Sequence, residues 1–178
     1  VGLRWAGGRL DLTDGRTALQ LAAETGVGHS AVFDWEVTGQ VPQQSVQAFA
    51  VAAGASEAFA AEAAGLLAAC GWRPVQVADT PGLVVARTVA MLVNEASDAV
   101  LQGVCTPTAA DAAMKLGVNY PAGPFEWLER VGAPAVVALL DRLDTHYRGE
   151  RYRASPALRR AVWQSAAVES PARQAAAR

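Results

Sequence analysis

The sequence predicts a small α/β layer followed by an all-helical domain. Two observations carry that expectation. Up to Asp79, short β-type runs alternate with helical runs, a spacing that gives a partly parallel sheet. Beyond Asp79-Thr80-Pro81-Gly82 every strong signal is helical, and helix starts are marked by Pro81, Pro107, Pro124, Pro134 and Pro156. The expected division is therefore 1–79 and 80–178.

In the first half, Leu3-Arg4-Trp5 and Arg9-Leu10-Asp11-Leu12 flank Gly7-Gly8, as in a hairpin or β-turn. Asp14 and Gly15 open a helix that runs to about Glu24 and ends at Gly26, with Asp14 suited to be its N-cap. SAVFDW (30–35) is a short apolar strand, and Pro42 to Gln44 a turn. SVQAFAVA (45–52) fits a strand or a helix, with the strand favoured. Ser56 caps an Ala-rich helix to Ala69, Gly71 follows it, and RPVQVA (73–78) is a strand.

In the second half, Pro81 starts a long helix reaching about Gln102. Its apolar positions include Val85, Val89, Leu92, Ala96 and Val100, with Arg87, Asn94, Asp98 and Gln102 on the opposite side. The apolar arc spans roughly 200°, wider than a surface helix needs, so a second protein surface is expected to cover it. Thr106-Pro107 opens a helix closed by Gly117, and Gly123-Pro124 opens one closed near Gly132. Pro134 to Tyr147 is a third, with Val136, Val137, Leu140 and Leu143 on one side. Ser155-Pro156 starts the last, through about Trp163, and the tail from Ser165 is expected to fray.

Composition excludes several classes. The 178 residues are 52% hydrophobic and 18% charged, which suits a folded core. A formal net charge of −2 gives no field for nucleic acid. No apolar run approaches the ~20 residues of a membrane span. Cys70 and Cys105 suit two small buried thiols in a reducing cytoplasm, and no metal-ligand cluster is legible. The start, Val1-Gly2-Leu3-Arg4-Trp5, reads as an internal cut in a longer parent.

Five short motifs occur in order: PGLVVAR (81–87), Asn94-Glu95-Ala96, DAAMKLG (111–117), YPAGPFE (120–126) and RYRASP (151–156). Together they resemble the C-terminal helical domain of 3-hydroxyacyl-CoA dehydrogenases, whose matching runs include PGFIVNR and YPMGPFE. GRLDLTDGRTA (8–18) and the helix–strand unit 56–79 resemble the reduced Rossmann-like domain of long bacterial 3-hydroxybutyryl-CoA dehydrogenases. The resemblance implies a reduced Rossmann-like layer followed by an all-α domain of the 6-phosphogluconate dehydrogenase C-terminal type. It further implies an NAD-dependent parent acting on 3-hydroxyacyl-CoA, short-chain substrates such as 3-hydroxybutyryl-CoA, and a homodimer built through the helix from Pro81 to Gln102.

The chemistry expected of this chain itself is thin. A dinucleotide needs a strand, a glycine-rich turn and free N–H groups at a helix start. Leu12-Thr13-Asp14-Gly15-Arg16-Thr17 offers one glycine, and the Asp14 charge would repel phosphate, so no cofactor is expected to bind here. The resemblance implies that the family's His–Glu pair lies in another domain. His29 and His146 lie in no family motif and read as surface or capping residues. The family's polar substrate contact, the Asn of PGFIVNR, corresponds to Ala86, which cannot donate that hydrogen bond. No catalytic residue is therefore expected. By resemblance, Ala86, Tyr120, Pro121, Gly123 and Pro124 are the substrate-proximal positions. Glu126 with Glu129, and the Arg151, Arg153, Arg159 and Arg160 cluster, read as structural or solvated, although the arginines would suit CoA phosphates. Trp5, Trp35, Trp72, Trp127 and Trp163 are scattered, as core or interface aromatics would be.

Overall fold

The computed structural model describes residues 2–37 and 45–176, the side chains of 168–176 excepted. The turn expected at Pro42 to Gln44 lies outside the described residues.

The first half is a five-stranded sheet in the order β1 (Gly2–Trp5), β2 (Gly8–Leu12), β3 (Ser30–Phe33), β4 (Val46–Val51) and β5 (Arg73–Gln76). Helices α1 (Ala18–Thr25) and α2 (Glu57–Ala69) connect β2 to β3 and β4 to β5. Both connected pairs are parallel, whereas β1–β2 and β3–β4 are antiparallel. The sheet thus consists of two opposed β-α-β units and an added hairpin strand. Side chains alternate along each strand, so the two faces carry separate cores. Leu10, Ala31 and Phe49 pack with Phe59, Ala63 and Leu67 of α2. Val32 and Ala50 pack on the other face with Ala18 and Leu21 of α1. Gly8 is required by close approach. A Cβ there would meet the His29 carbonyl oxygen at 2.4 Å and the Phe59 ring at 2.5 Å.

The second half is α3 (Val85–Leu101), α4 (Pro107–Val118), α5 (Pro124–Val131), α6 (Ala133–Tyr147) and α7 (Pro156–Ala176). Helix α3 lies at the centre, its Val89, Ala90 and Val93 against Trp127 of α5, Leu140 of α6 and Leu158 of α7. Trp35, just after β3, belongs to the same core, so sheet and helices share buried surface.

Several expectations change. Helix α3 begins at Val85, not Pro81, because residues 81–84 form turns in which Leu83 N–H bonds to the Thr80 carbonyl. Leu83 has φ +47, a conformation that costs a non-glycine residue roughly 1–2 kcal/mol, and its buried side chain joins the α1-side core of the sheet. The PGL run therefore pins the helical half to the sheet. Helix α4 runs one residue past Gly117 and closes on Asn119, at φ 57. The tail expected to fray after Ser165 continues α7 to Ala176, in keeping with its Ala-rich composition. The cysteines are not buried: Cys70 is exposed at the end of α2 and Cys105 is half-buried before α4. Asn94, expected on the polar side of α3, is only 2% exposed.

Candidate functional site

The site to be tested first is the corner where a dinucleotide would meet the start of α1. Asp14 is not the N-cap. That role falls to Thr17, whose hydroxyl accepts the Gln20 N–H at 3.0 Å. The Asp79 carboxylate accepts the N–H groups of Ala18 at 2.7 Å and Leu19 at 2.9 Å. These are donors that a pyrophosphate would require. With its own carboxylate on them and a single glycine in the turn, the corner does not fit a dinucleotide.

Gly15, at φ +103, turns the chain between Asp14 and the helix, which carries Asp14 away from the cap position. Asp14 instead accepts from the Arg16 backbone N–H at 3.2 Å and from both sides of the Arg16 guanidinium, at 3.1 and 2.6 Å. Arg142 Nη1 approaches the same carboxylate at 3.1 Å. Burial alone would raise the Asp14 pKa, but the Arg16 hydrogen bonds and the Arg142 and Arg16 charges outweigh it and hold the carboxyl below its ordinary value. The reciprocal effect, led by the hydrogen bond to Asp14, raises the Arg16 pKa.

The start of α3 is arranged likewise. Asp34, 1% exposed at the end of β3, accepts from Val84 N–H at 2.9 Å, Val85 N–H at 2.7 Å and Ala86 N–H at 2.8 Å. Its Oδ1 also accepts the Trp35 N–H at 2.8 Å. A negative group is favourable at this positive helix end, and it satisfies donors that the helix itself leaves open.

The five positions singled out by resemblance fall in two places. Ala86 is 0% exposed in the first turn of α3, its N–H held by Asp34. Tyr120, Pro121, Gly123 and Pro124 lead into α5. Tyr120 is half-buried, its ring 5.6 Å from Trp127 at a 46° tilt, while Pro121 is exposed and Gly123 and Pro124 are buried. Asp111 of α4 accepts the Phe125 N–H at 2.8 Å, and Glu126 reaches back to the Gly123 N–H at 3.0 Å. A Cβ on Gly123 would meet Asp111 Oδ1 at 2.3 Å, which explains the glycine. Lys115 donates to Glu126, and this hydrogen bond, with that from Gly123, lowers the Glu126 pKa. The DAAMKLG and YPAGPFE motifs are thus one interlocking cap.

Two further motifs are joined the same way. Asn94 donates to the Arg153 carbonyl at 3.1 Å and accepts the Ser155 N–H at 2.7 Å. Ser155 Oγ donates to Asp98 at 2.6 Å. Arg159 pairs with Asp141 through both terminal nitrogens, at 3.2 and 2.6 Å, while Arg151, Arg153, Arg160 and Glu129 are exposed. His29 Nδ1 lies 3.1 Å from the Gly7 carbonyl, and its ring stacks on Phe59 at 5.0 Å. His146 sits edge-on to Tyr147 in the last turn of α6. Among the described residues, no group of three or more His, Cys, Asp or Glu could hold a metal ion. Within them, no helix is long and apolar enough to cross a membrane.

The capping carboxylates Asp34, Asp79 and Asp111 escaped the sequence reading. Asp34 and Asp79 follow strands and Asp111 lies within α4, and each serves a helix other than its own, so no local pattern identifies the partner. Also unread was a cleft of ≈ 680 Å³ between the sheet and helices α5 and α6, lined by Arg4, Arg9, Arg16, Trp35, Glu36 and Arg130 among others.

Comparison with known proteins agrees with this anatomy. The family described as 3-hydroxyacyl-CoA dehydrogenase, C-terminal domain, matches residues 82–172. The 3-hydroxybutyryl-CoA dehydrogenase reduced Rossmann-fold domain matches residues 10–81. The 3-hydroxyadipyl-CoA dehydrogenase of Escherichia coli (strain K12) is 45% identical over 96 residues, covering 54% of this chain and 20% of that protein. A 3-hydroxybutyryl-CoA dehydrogenase of Clostridioides difficile is 37% identical over 50% of this chain and 32% of its own length. The crystal structure of 3-hydroxybutyryl-CoA dehydrogenase from Escherichia coli K12 superposes with a TM-score of 0.81 at 35% identity, over 93% of this chain and 35% of that one. The chain spans between 20% and 32% of the length of these two curated relatives. With a family match over half its length, the chain belongs to the 3-hydroxyacyl-CoA dehydrogenase family.

Proposed function

We propose that this chain is the C-terminal part of an NAD-dependent 3-hydroxyacyl-CoA dehydrogenase, with 3-hydroxybutyryl-CoA as the expected substrate class. Within that cytoplasmic parent it is a scaffold of two units, 1–79 and 80–178, that supports the reaction without carrying out hydride transfer. The observation that carries this reading is the Asp79 carboxylate on the α1 N–H donors, in a chain that holds both family segments in order. NAD and the base that removes the hydroxyl proton then belong to the remainder of the parent. Ala86 supports the same view, because the one polar side chain expected from the helical domain is replaced by a buried methyl group. The acyl-CoA contacts left to this chain are those around Tyr120, Pro121, Gly123 and Pro124.

The second role is dimerisation through α3 and its neighbour α4. Helix α4 buries none of its 12 residues, Leu116 is 87% exposed, and Leu101, Val104 and Val118 are exposed nearby. Such a surface is stabilised by a covering partner, and an isologous two-fold pairing supplies one.

The test is NADH formation from 3-hydroxybutyryl-CoA, measured for the parent and for this chain separately. Turnover by the parent and none by this chain is the expected result. An inactive parent sinks the dehydrogenase reading, and turnover by this chain sinks the scaffold reading.

A further inference from the structure

The cleft between the sheet and the helices lies at the carboxyl ends of β2 and β3, the parallel pair, where open α/β sheets bind their ligands. Its ≈ 680 Å³ falls in the range of small-molecule sites. One wall is apolar and comes from Leu12, Val131, Ala135 and Ala138, the two alanines lying one turn apart on α6. The rim is cationic. Four arginines, Arg4, Arg9, Arg16 and Arg130, line it against three carboxylates, Asp11, Asp14 and Glu36. Arg9 is bound to Asp11 at 2.5 Å, and Arg16 to Asp14 and Glu24. Arg4 and Arg130 are the exposed pair of the four. Arg4 is exposed and reaches Asp11 only at 3.4 Å, and exposed Arg130 donates from Nη1 to the Val37 carbonyl at 3.1 Å. A guanidinium carries five N–H donors, so both retain capacity to bind an anion.

We propose that this cleft binds an aliphatic carboxylate, its chain along the Val131–Ala135–Ala138 wall and its head group on Arg4 and Arg130. A dinucleotide is the wrong class, since the helix-start donors that pyrophosphate needs are held by Asp79. A single carboxylate needs only a guanidinium fork, which the rim supplies. The cleft lining carries this proposal without reference to the parent's activity, so either reading can fail without the other.

The test uses octanoate on the whole chain, below its micellar concentration. The reporter is the indole N–H resonance of Trp35, which donates to the Thr13 carbonyl at the cleft lining. Octanoate is expected to shift that resonance saturably. Arg4→Ala and Arg130→Ala are each expected to weaken binding about tenfold, the scale of one charge-assisted contact. Octanol and acetate, which lack the head group and the chain respectively, are expected to bind at least that much more weakly. No saturable shift with octanoate overturns the proposal, as does equal binding of octanol or unchanged affinity in both arginine variants. Competition of NAD with octanoate at comparable affinity also overturns it, because the cleft would then be a nucleotide site.

Discussion

The Asp34 carboxylate accepts the Ala86 N–H at 2.8 Å and so ties the end of β3 to the first turn of α3. Its removal would orphan the buried donors of α3 and of Trp35. Asp34→Ala is expected to destabilise the chain by about 3 kcal/mol, and Asp34→Asn by about half of that. The urea midpoint measures both. A loss below about 0.5 kcal/mol for the alanine variant would show that the cap is dispensable.

Restoring the family's asparagine at position 86 should not restore chemistry. Ala86 is fully buried and packs within the helical core. Ala86→Asn adds a polar side chain with no room, at an expected cost of about 1–3 kcal/mol and with no gain of NADH formation. Thermal melting and the turnover assay read the two effects independently.

Gly123→Ala brings a methyl group onto the Asp111 side chain. The close contact is expected to cost about 1–3 kcal/mol. Asp111→Ala, which removes the acceptor for the Phe125 N–H, is expected to cost about 1 kcal/mol. If Gly123→Ala leaves the melting temperature unchanged, the interlocked cap of α5 is wrong.

The Asp14 carboxyl is held below its ordinary pKa of 3.8, net of burial, by Arg16 and Arg142. A carboxylate whose folded pKa is depressed stabilises the fold above its unfolded pKa, and that stability is lost as the pH falls through the folded value. Asp14→Asn should therefore lower stability near neutrality and flatten the acid limb of the stability curve below about pH 4. Urea midpoints compared between about pH 6 and about pH 2 test this, and parallel curves for the two proteins would refute it.

Leu116→Glu places a charge in the exposed apolar surface of α4. Light scattering should find the unsubstituted chain dimeric and the variant shifted to monomer. A monomer in both cases removes the proposed interface.

The layers were legible because their signals are local. The short apolar run SAVF marks β3, and Thr106-Pro107 marks α4, where the threonine hydroxyl caps the Ala109 N–H at 3.2 Å. The start of α1 was misread because Asp14 and Thr17 are both good caps, and the decision rests on the Gly15 turn and on Asp79. The polar side of α3 misled for a related reason. Asn94 looks solvated by its residue type, yet it is buried because residues 153–155 bring it backbone partners. Cys70 and Cys105 were placed inside by residue preference, whereas their positions at helix margins leave them accessible. The family motifs were visible as letters, but their pairing, Asp111 with Phe125 and Asn94 with Ser155, exists only in three dimensions.

The carboxylate that completes α1 lies 61 residues after Ala18. A chain made from its N-terminus therefore exposes α1 before its closing anion has been synthesised, and two of that helix's first donors must remain with water until β5 has been passed. The β2-α1-β3 unit cannot become an independent folding unit in its final form. Its last hydrogen bonds form only when the entire sheet closes, which makes completion of the sheet a late, long-range event during synthesis.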